Sequence, residues 1–338
     1  MTRPLGLLAI EAEMARQASD ALASYDQASS DQAGPVAADL ARSLRQTGYL
    51  VMLGMGASHA VNRAVEPLYR GLGIDALAMP LSEQLGMGVP LKGKTVILVS
   101  QSGESAEVIR WLSTQKAGEV FGMTLDANAT LARSVPSLVA AGGAELAFAA
   151  TRSLTLTFAL HLAVLAKLGA DPAPALAVLR QLPAPDIAPA VTALAKVRCV
   201  VTSGRRLHGV AEAAALGLCE LSQSPAFALE GGQLRHGPME IMSPDLGVVL
   251  FASDEPDAGL VMGMARSASE AGAAVVLFNA SGLPPLPGVT TIALPRSAGM
   301  AAILATLPAL QRFMLGYATA RVADVGTPRR SSKITRTE

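Results

Sequence analysis

Cysteine is nearly missing: Cys199 and Cys219 are the only two in 338 residues. Two thiols cannot build a disulfide framework, and their spacing matches no metal-ligand pattern. Each sits in an apolar run and reads as a buried thiol. Aromatic residues are scarce at 4%, with one tryptophan, which argues against the stacking platforms that hold single-stranded nucleic acid. Neither sign of charge prevails, since 27 Lys+Arg face 27 Asp+Glu. No global field therefore draws the chain to nucleic acid or to an anionic membrane. The start, Met1-Thr2-Arg3-Pro4-Leu5, runs into Glu11 and Glu13 instead of the apolar core of a secretory signal. The most apolar stretch, 154–168, contains Thr155, Thr157, His161 and Lys167. It is too short and too interrupted to span a membrane and reads as a buried helix. These absences point to a cytoplasmic protein.

What is present is apolar bulk. Hydrophobic residues make up 51% and charged residues 16%, which excludes intrinsic disorder. At about 100–200 residues per domain the length allows two domains. A chain of this size buries a core of Ala, Val, Leu and Met without covalent staples.

Short apolar runs alternate with helical stretches. Tyr49-Leu50-Val51-Met52-Leu53 leads into the turn Gly54-Met55-Gly56-Ala57-Ser58, and Lys94-Thr95-Val96-Ile97-Leu98-Val99 leads into Ser100-Gln101-Ser102-Gly103-Glu104-Ser105. Val120-Phe121-Gly122-Met123-Thr124 is a third run. The pattern returns at 198–202, 247–251 and 274–278, and Gly204 follows Gly54 by 150 residues. Buried strands alternating with helices predict a parallel sheet covered on both faces, and the repeat predicts two α/β subdomains of one topology. The expected organisation is a helical segment over 1–30, a first subdomain over 31–175 and a proline-punctuated linker over 176–195. A second subdomain over 196–322 and a tail over 323–338 complete it.

The serine-rich turn after the second strand, 100–105, opens a helix. Amides at a helix N-terminus lack partners and the dipole is positive there, so an anion is favoured. Serine hydroxyls add donors, and glycine lets the backbone come close to a phosphate. The same serines are equally suited to capping the helix, and the local chemistry leaves both readings open. Neither a Walker loop nor a complete dinucleotide fingerprint is present.

The run Val99-Ser100-Gln101-Ser102-Gly103-Glu104-Ser105-Ala106-Glu107 resembles the signature of the sugar isomerase (SIS) domain, and Gly56-Ala57-Ser58 resembles its companion turn. The fold so implied is a flavodoxin-like three-layer α/β sandwich, present twice. Further segments resemble the isomerase half of glutamine:fructose-6-phosphate amidotransferases. Leu218-Cys219-Glu220-Leu221-Ser222 is similar to "LKEIS", and Glu230-Gly231-Gly232-Gln233-Leu234-Arg235-His236-Gly237-Pro238 to the segment containing "ELKHGP". Glu145 through Arg152 is similar to "EIGVASTK", and 324–335 to "DVDQPRNLAKSVT". The resemblance implies Glu220, His236 and Lys333 as catalytic residues. It implies Gly56, Ala57, Ser58, Ser100, Gln101, Ser102, Ser105, Ala149 and Ser332 as phosphate and substrate contacts. Singly, each of these residues is at home in a structural role; the case rests on their joint spacing. His59 is a candidate ligand contact beside the first turn, whereas His161 reads as core.

The chemistry agrees with the resemblance. Interconverting an aminoaldose and a ketose moves a proton between C1 and C2, which one carboxylate can take and return. Apolar neighbours around Glu220 would favour its protonated form. A histidine suits the ring-opening proton, and a lysine amine attacks a sugar carbonyl. No metal or organic cofactor is implied, because the sugar's own carbonyl is the electron sink. Departures from the resemblance are Met55 and Ala57 in the first turn and Gly217 in place of a lysine one turn before Glu220. No glutaminase domain with its N-terminal cysteine accompanies the isomerase half, so glutamine is not expected as a direct nitrogen donor. The leading expectation is conversion of glucosamine 6-phosphate to fructose 6-phosphate and ammonia. Alternatives are a deglycase or deaminase for another aminosugar phosphate, an aminotransferase using ammonia or a separate glutaminase, and a non-catalytic phosphosugar sensor. The resemblance also implies a homodimer in which His236 reaches the neighbouring subunit's site, and no nucleic-acid or membrane partner.

Overall fold

The structure is a computed structural model that describes residues 3–30, 35–114 and 119–337. It divides into two compact units. The amino-terminal unit comprises residues 12–180 with the tail 328–337, and the carboxy-terminal unit comprises 181–327 with residues 3–11. The expected boundary at residue 31 lies outside the described residues.

The amino-terminal unit is built on five strands: β1 (Tyr49–Gly54), β2 (Asp75–Pro80), β3 (Thr95–Val99), β4 (Glu119–Thr124) and β5 (Ser137–Val139). They pair in the order β2-β1-β3-β4-β5, all parallel. Strand β3 is buried at every position, as a strand must be when both faces are covered by crossover helices. Val51, Leu53, Val96, Leu98, Val108, Trp111 and Leu131 form one apolar cluster. Each such side chain contributes about 1.5–3 kcal/mol over leaving it exposed. Helix Val36–Thr47 buries Ala37, Leu40, Ala41 and Leu44, a stripe at helical spacing. It ends where Gly48 turns left-handed (φ 66°) and donates its N–H to the Leu44 carbonyl at 2.9 Å.

The carboxy-terminal unit repeats the plan with β6 (Cys199–Gly204), β7 (Ala226–Glu230), β8 (Leu246–Ser253), β9 (Ala274–Ala280) and β10 (Thr290–Ala293). The order is β7-β6-β8-β9-β10, again all parallel. Two sheets with the same strand order bear out the duplicated α/β architecture. Helix Gly299–Thr319 is long and apolar enough to cross a membrane, yet 83% of its apolar window is buried within the protein.

The cysteines differ from expectation. Both are half-buried and unbridged. Cys199 opens β6, where the sheet begins, and burial pushes its thiol pKa up. Cys219 faces the edge strand β7, none of whose side chains is fully buried, and its Sγ donates to the Ala226 carbonyl at 3.1 Å.

Polar groups also lie deep in the amino-terminal unit. Arg152 is fully buried. It pairs through Nε with Glu13 and through a terminal nitrogen with Asp20 at 3.0 Å, and it donates to the carbonyls of Gly143 and Ala144 at 2.9 and 3.0 Å. Thr155 Oγ1 donates to Gln17 at 2.9 Å, so Glu13, Gln17 and Asp20 are all bound by polar contacts to the helix Arg152–Leu168.

His161 is core, as its sequence context suggested: it is 0% exposed, with Nδ1 3.0 Å from the Tyr69 hydroxyl. Burial depresses its pKa to about 3. The unfolded chain binds this proton below about pH 6.5, whereas the folded chain refuses it until about pH 3. His161 therefore costs no stability above about pH 6.5 and destabilises progressively as pH falls below it. At pH 5 the loss is about 2 kcal/mol. Urea unfolding at pH 7 and pH 5 should show a smaller acid loss in a His161→Gln variant than in the parent; equal losses would remove this histidine as the cause.

Candidate active site

In the strand order β2-β1-β3, the connections from β1 and β3 leave in opposite directions and open a crevice at the strands' carboxyl ends. The two sequence-predicted turns lie there. Leu53 pairs with Leu98, and a Cβ on Gly54 would lie 3.1 Å from the Val99 carbonyl oxygen. Glycine is thus what lets the first turn fold back against the end of β3. Gly56 is exposed with φ 50°, Ala57 is half-buried and Ser58 is buried, its N–H donating to Met55 at 3.0 Å.

The second turn is internally braced. The Gly103 N–H donates to both the carbonyl and the hydroxyl of Ser100, at 3.0 and 3.1 Å. Gly103 has φ 65°, and a Cβ there would lie 2.5 Å from that of Ala129, so both conformation and space demand glycine. Ser102 Oγ accepts from the Glu104 N–H at 3.2 Å. Thr130 donates to the Glu104 carboxylate through its N–H and its hydroxyl. The Gln101 carbonyl accepts from Leu125 N at 3.0 Å and Thr124 Oγ1 at 3.3 Å. Its side-chain Nε2 is buried and makes no hydrogen bond among the described residues. A buried amide donor without an acceptor costs about 1–3 kcal/mol. In a turn lined by Ser100, Ser102 and Ser105 at the start of helix Ala106–Thr114, it is suited to an anionic oxygen.

The tail returns to this place. The Ala106 N–H, first in the helix, donates to the Thr335 carbonyl at 3.0 Å. Lys333, two residues earlier, is therefore held within about 7 Å of Thr335, Cα to Cα. Its Nζ pairs with Glu145 Oε2 at 2.7 Å. Ser332 is exposed, its hydroxyl donating to the Ile334 carbonyl at 2.7 Å, and Ala149 is buried beside the Glu145 segment. The serine turn, its companion turn, Ala149, Ser332 and Lys333 thus belong to one unit.

Glu145 was the residue the sequence reading passed over. It stood first in a recognised segment with no role attached. Its side chain is 1% exposed. Oε1 accepts from Thr151 N and Oγ1, both at 3.0 Å, and from Ser153 N at 3.2 Å; Oε2 accepts from Ser153 Oγ at 2.6 Å as well as from Lys333. Burial pushes its pKa up, but the Lys333 charge and these hydrogen bonds outweigh burial and hold the carboxyl below the usual carboxylate range. Thr151 and Ser153, hydroxyl residues at the start of an apolar helix, were the signal available in the sequence.

Glu220 and His236 belong to the carboxy-terminal unit. Glu220 is half-buried near the end of helix His208–Ser222. His236 is exposed, closing the short helix Gly231–Arg235 with its N–H on the Gln233 carbonyl at 3.1 Å. Gly217 is buried, and a Cβ there would lie 2.6 Å from Met314 Sδ. Packing between helices His208–Ser222 and Gly299–Thr319 occupies the place where the resembled segment has lysine. The acids after β8 are used structurally: Asp254 takes Arg296 at 2.8 and 3.1 Å, and Glu255 accepts from Gly299 N at 3.1 Å. No group of three or more His, Cys, Asp or Glu suited to a metal occurs among the described residues.

No protein-family model matches the chain. It is 29% identical over 263 residues to the glutamine–fructose-6-phosphate aminotransferase (isomerizing) of Neisseria meningitidis, covering 70% of this chain and 43% of that protein. With the aminotransferase of Rhizobium leguminosarum the identity is 30% over 277 residues, 72% of this chain and 45% of the relative. The chain thus spans less than half the length of the curated relatives it matches. Among solved structures, the C-terminal domain of glucosamine-fructose-6-phosphate aminotransferase from Francisella tularensis superposes with TM-score 0.80 at 17% identity, covering 95% of this chain and 98% of that one. Tagatose-6-phosphate ketose/aldose isomerase of Escherichia coli gives 0.78 at 20% identity, covering 97% and 98%. Glucosamine-6-phosphate deaminase of Thermotoga maritima gives 0.68 at 18%, covering 93% and 99%. The resemblance read from the sequence is therefore borne out: the sequence relatives are the aminotransferases, matched over about 70% of this chain, and the fold is that of the SIS phosphosugar isomerases.

Proposed function

We propose that this SIS-fold relative of the aminotransferases is a glucosamine-6-phosphate deaminase, yielding fructose 6-phosphate and ammonia. The observation that carries the reading is the braced serine turn with its unpartnered Gln101 amide, in the same unit as an anchored lysine. A phosphate monoester supplies the acceptor oxygens which that turn lacks. The open-chain aldehyde then presents C1 and C2 to acid–base groups, the roles we assign to His236 and Glu220. His236 moves the ring-opening proton. Glu220 takes the C2 proton and returns it to C1, converting aldehyde and amine into hydroxymethyl and imine. Lys333 displaces ammonia from C2, and water releases the ketose.

This sequence of steps draws on the sugar's own carbonyl and asks for no cofactor. The exposed position of His236 supports a homodimer in which it serves the neighbouring subunit, and we place the enzyme in the cytoplasm. Purified protein incubated with glucosamine 6-phosphate should release ammonia and fructose 6-phosphate in equal amounts, read by coupled assays. No release would overturn the reading. Parallel incubation with galactosamine and fructosamine 6-phosphates would show whether another epimer or a deglycase reaction is the true one.

A further inference from the structure

We infer that Glu145 is the positioning residue for Lys333: a carboxylate fixed in advance that sets where the reacting amine stands and stays anionic while that amine reacts. The inference rests on the proposed role of Lys333 and concerns a residue to which no role has been attached.

The geometry distinguishes an anchor from an incidental ion pair. The side chain of Lys333 is 28% exposed and that of Glu145 is 1% exposed, so the lysine comes to the carboxylate, not the reverse. Glu145 is oriented without Lys333. Four other donors, from Thr151 and Ser153 at the start of helix Arg152–Leu168, already fix both its oxygens. Those donors also hold the charge, as an anion at the amino end of a 17-residue helix is favoured. A buried carboxylate with so many donors is poorly suited to accept a proton. It is well suited to face a constant positive charge.

The proposed chemistry presents such a charge. The neutral C2 imine meets the Lys333 ammonium. The C2–Nζ bond forms, the bond from C2 to the departing nitrogen breaks, and two Nζ protons leave with it as ammonia. Nζ retains one proton and the positive charge as an iminium. Water then adds at C2, the C2–Nζ bond breaks, and the ketone and the ammonium are restored. At both ends of each step one positive charge resides at Nζ, 2.7 Å from Oε2 in the resting arrangement. Glu145 therefore steadies the ammonium and the iminium alike and never needs to titrate.

The test uses reductive trapping with fructose 6-phosphate and borohydride on the full chain, with peptide mass spectrometry to find the adduct. The parent protein should carry it on Lys333. Glu145→Gln, which keeps the shape and removes the charge, should lower trapping there and kcat for ammonia release by about tenfold or more. KM should stay near the parent value, because the serine turn is untouched. Glu145→Asp keeps the charge but withdraws it by one methylene and should recover part of the trapping; it also serves if the glutamine variant fails to fold. Unchanged trapping at Lys333 in a folded Glu145→Gln protein, or no Lys333 adduct in the parent, overturns the inference. Trapping on Lys333 without any ammonia release would instead leave Glu145 as the anchor and sink the deaminase reading.

Discussion

Glu220→Gln should lose about 10²- to 10⁴-fold in kcat for ammonia release, the range a positioned general base supplies. Glutamine matches glutamate in shape and can still take hydrogen bonds, but its amide cannot accept a proton from carbon. KM should change little, because the groups assigned to the phosphate lie on the other unit. The step affected can be read directly. In heavy water the parent should exchange the C1 and C2 protons of the sugar as enolamine forms and collapses, and the variant should not. A variant that retains more than about a tenth of the parental rate would take the proton transfer away from Glu220.

Arg152→Met should destabilise the folded protein by about 3–5 kcal/mol, the cost of removing one partner from a buried ion pair. Methionine fills much of the volume but leaves Glu13 and Asp20 without their shared cation and two carbonyls without donors. The expected signature is a lower urea midpoint at an unchanged slope. The double change Arg152→Met and Glu13→Gln should recover part of the loss, since it deletes the stranded charge together with the cation, whereas Asp20 keeps Arg16 at 2.9 Å. A loss below about 1 kcal/mol for the single variant would show that the network contributes little.

The central strands were legible because they are buried on both faces. β1, β3, β8 and β9 hold runs of four or more apolar residues, β4 and β6 shorter ones, and burial leaves no reason for polar alternation. The edge strands were not. β2 alternates exposed and buried side chains over most of its length, β7 has no buried position, and β5 and β10 span three and four residues. Their strand character comes from pairing with a neighbour, which no local pattern records. The site divides in the same way. The serine turn could be read because a strand end, small hydroxyl residues and a helix start are consecutive. The Glu145–Lys333 pair joins residues 188 apart, and the burial of Arg152 depends on acids 139 and 132 residues earlier. A buried charge is the least expected assignment for an isolated arginine or glutamate. It becomes intelligible only once its counter-charges are in view.

The common strand order of the two sheets has a corollary for how the chain can be divided. The copies have kept one scaffold but no longer carry the same tools: the serine turn and Glu145, which anchors the tail's Lys333, lie in one unit, the candidate base and imidazole in the other. A gene cut at residue 180 would give two halves, each with a complete sheet and an incomplete chemistry, and would also part Lys333 from Glu145, so neither half alone should turn over substrate. Complementary inactivating substitutions, one in each half, should likewise fail to rescue each other within a single polypeptide.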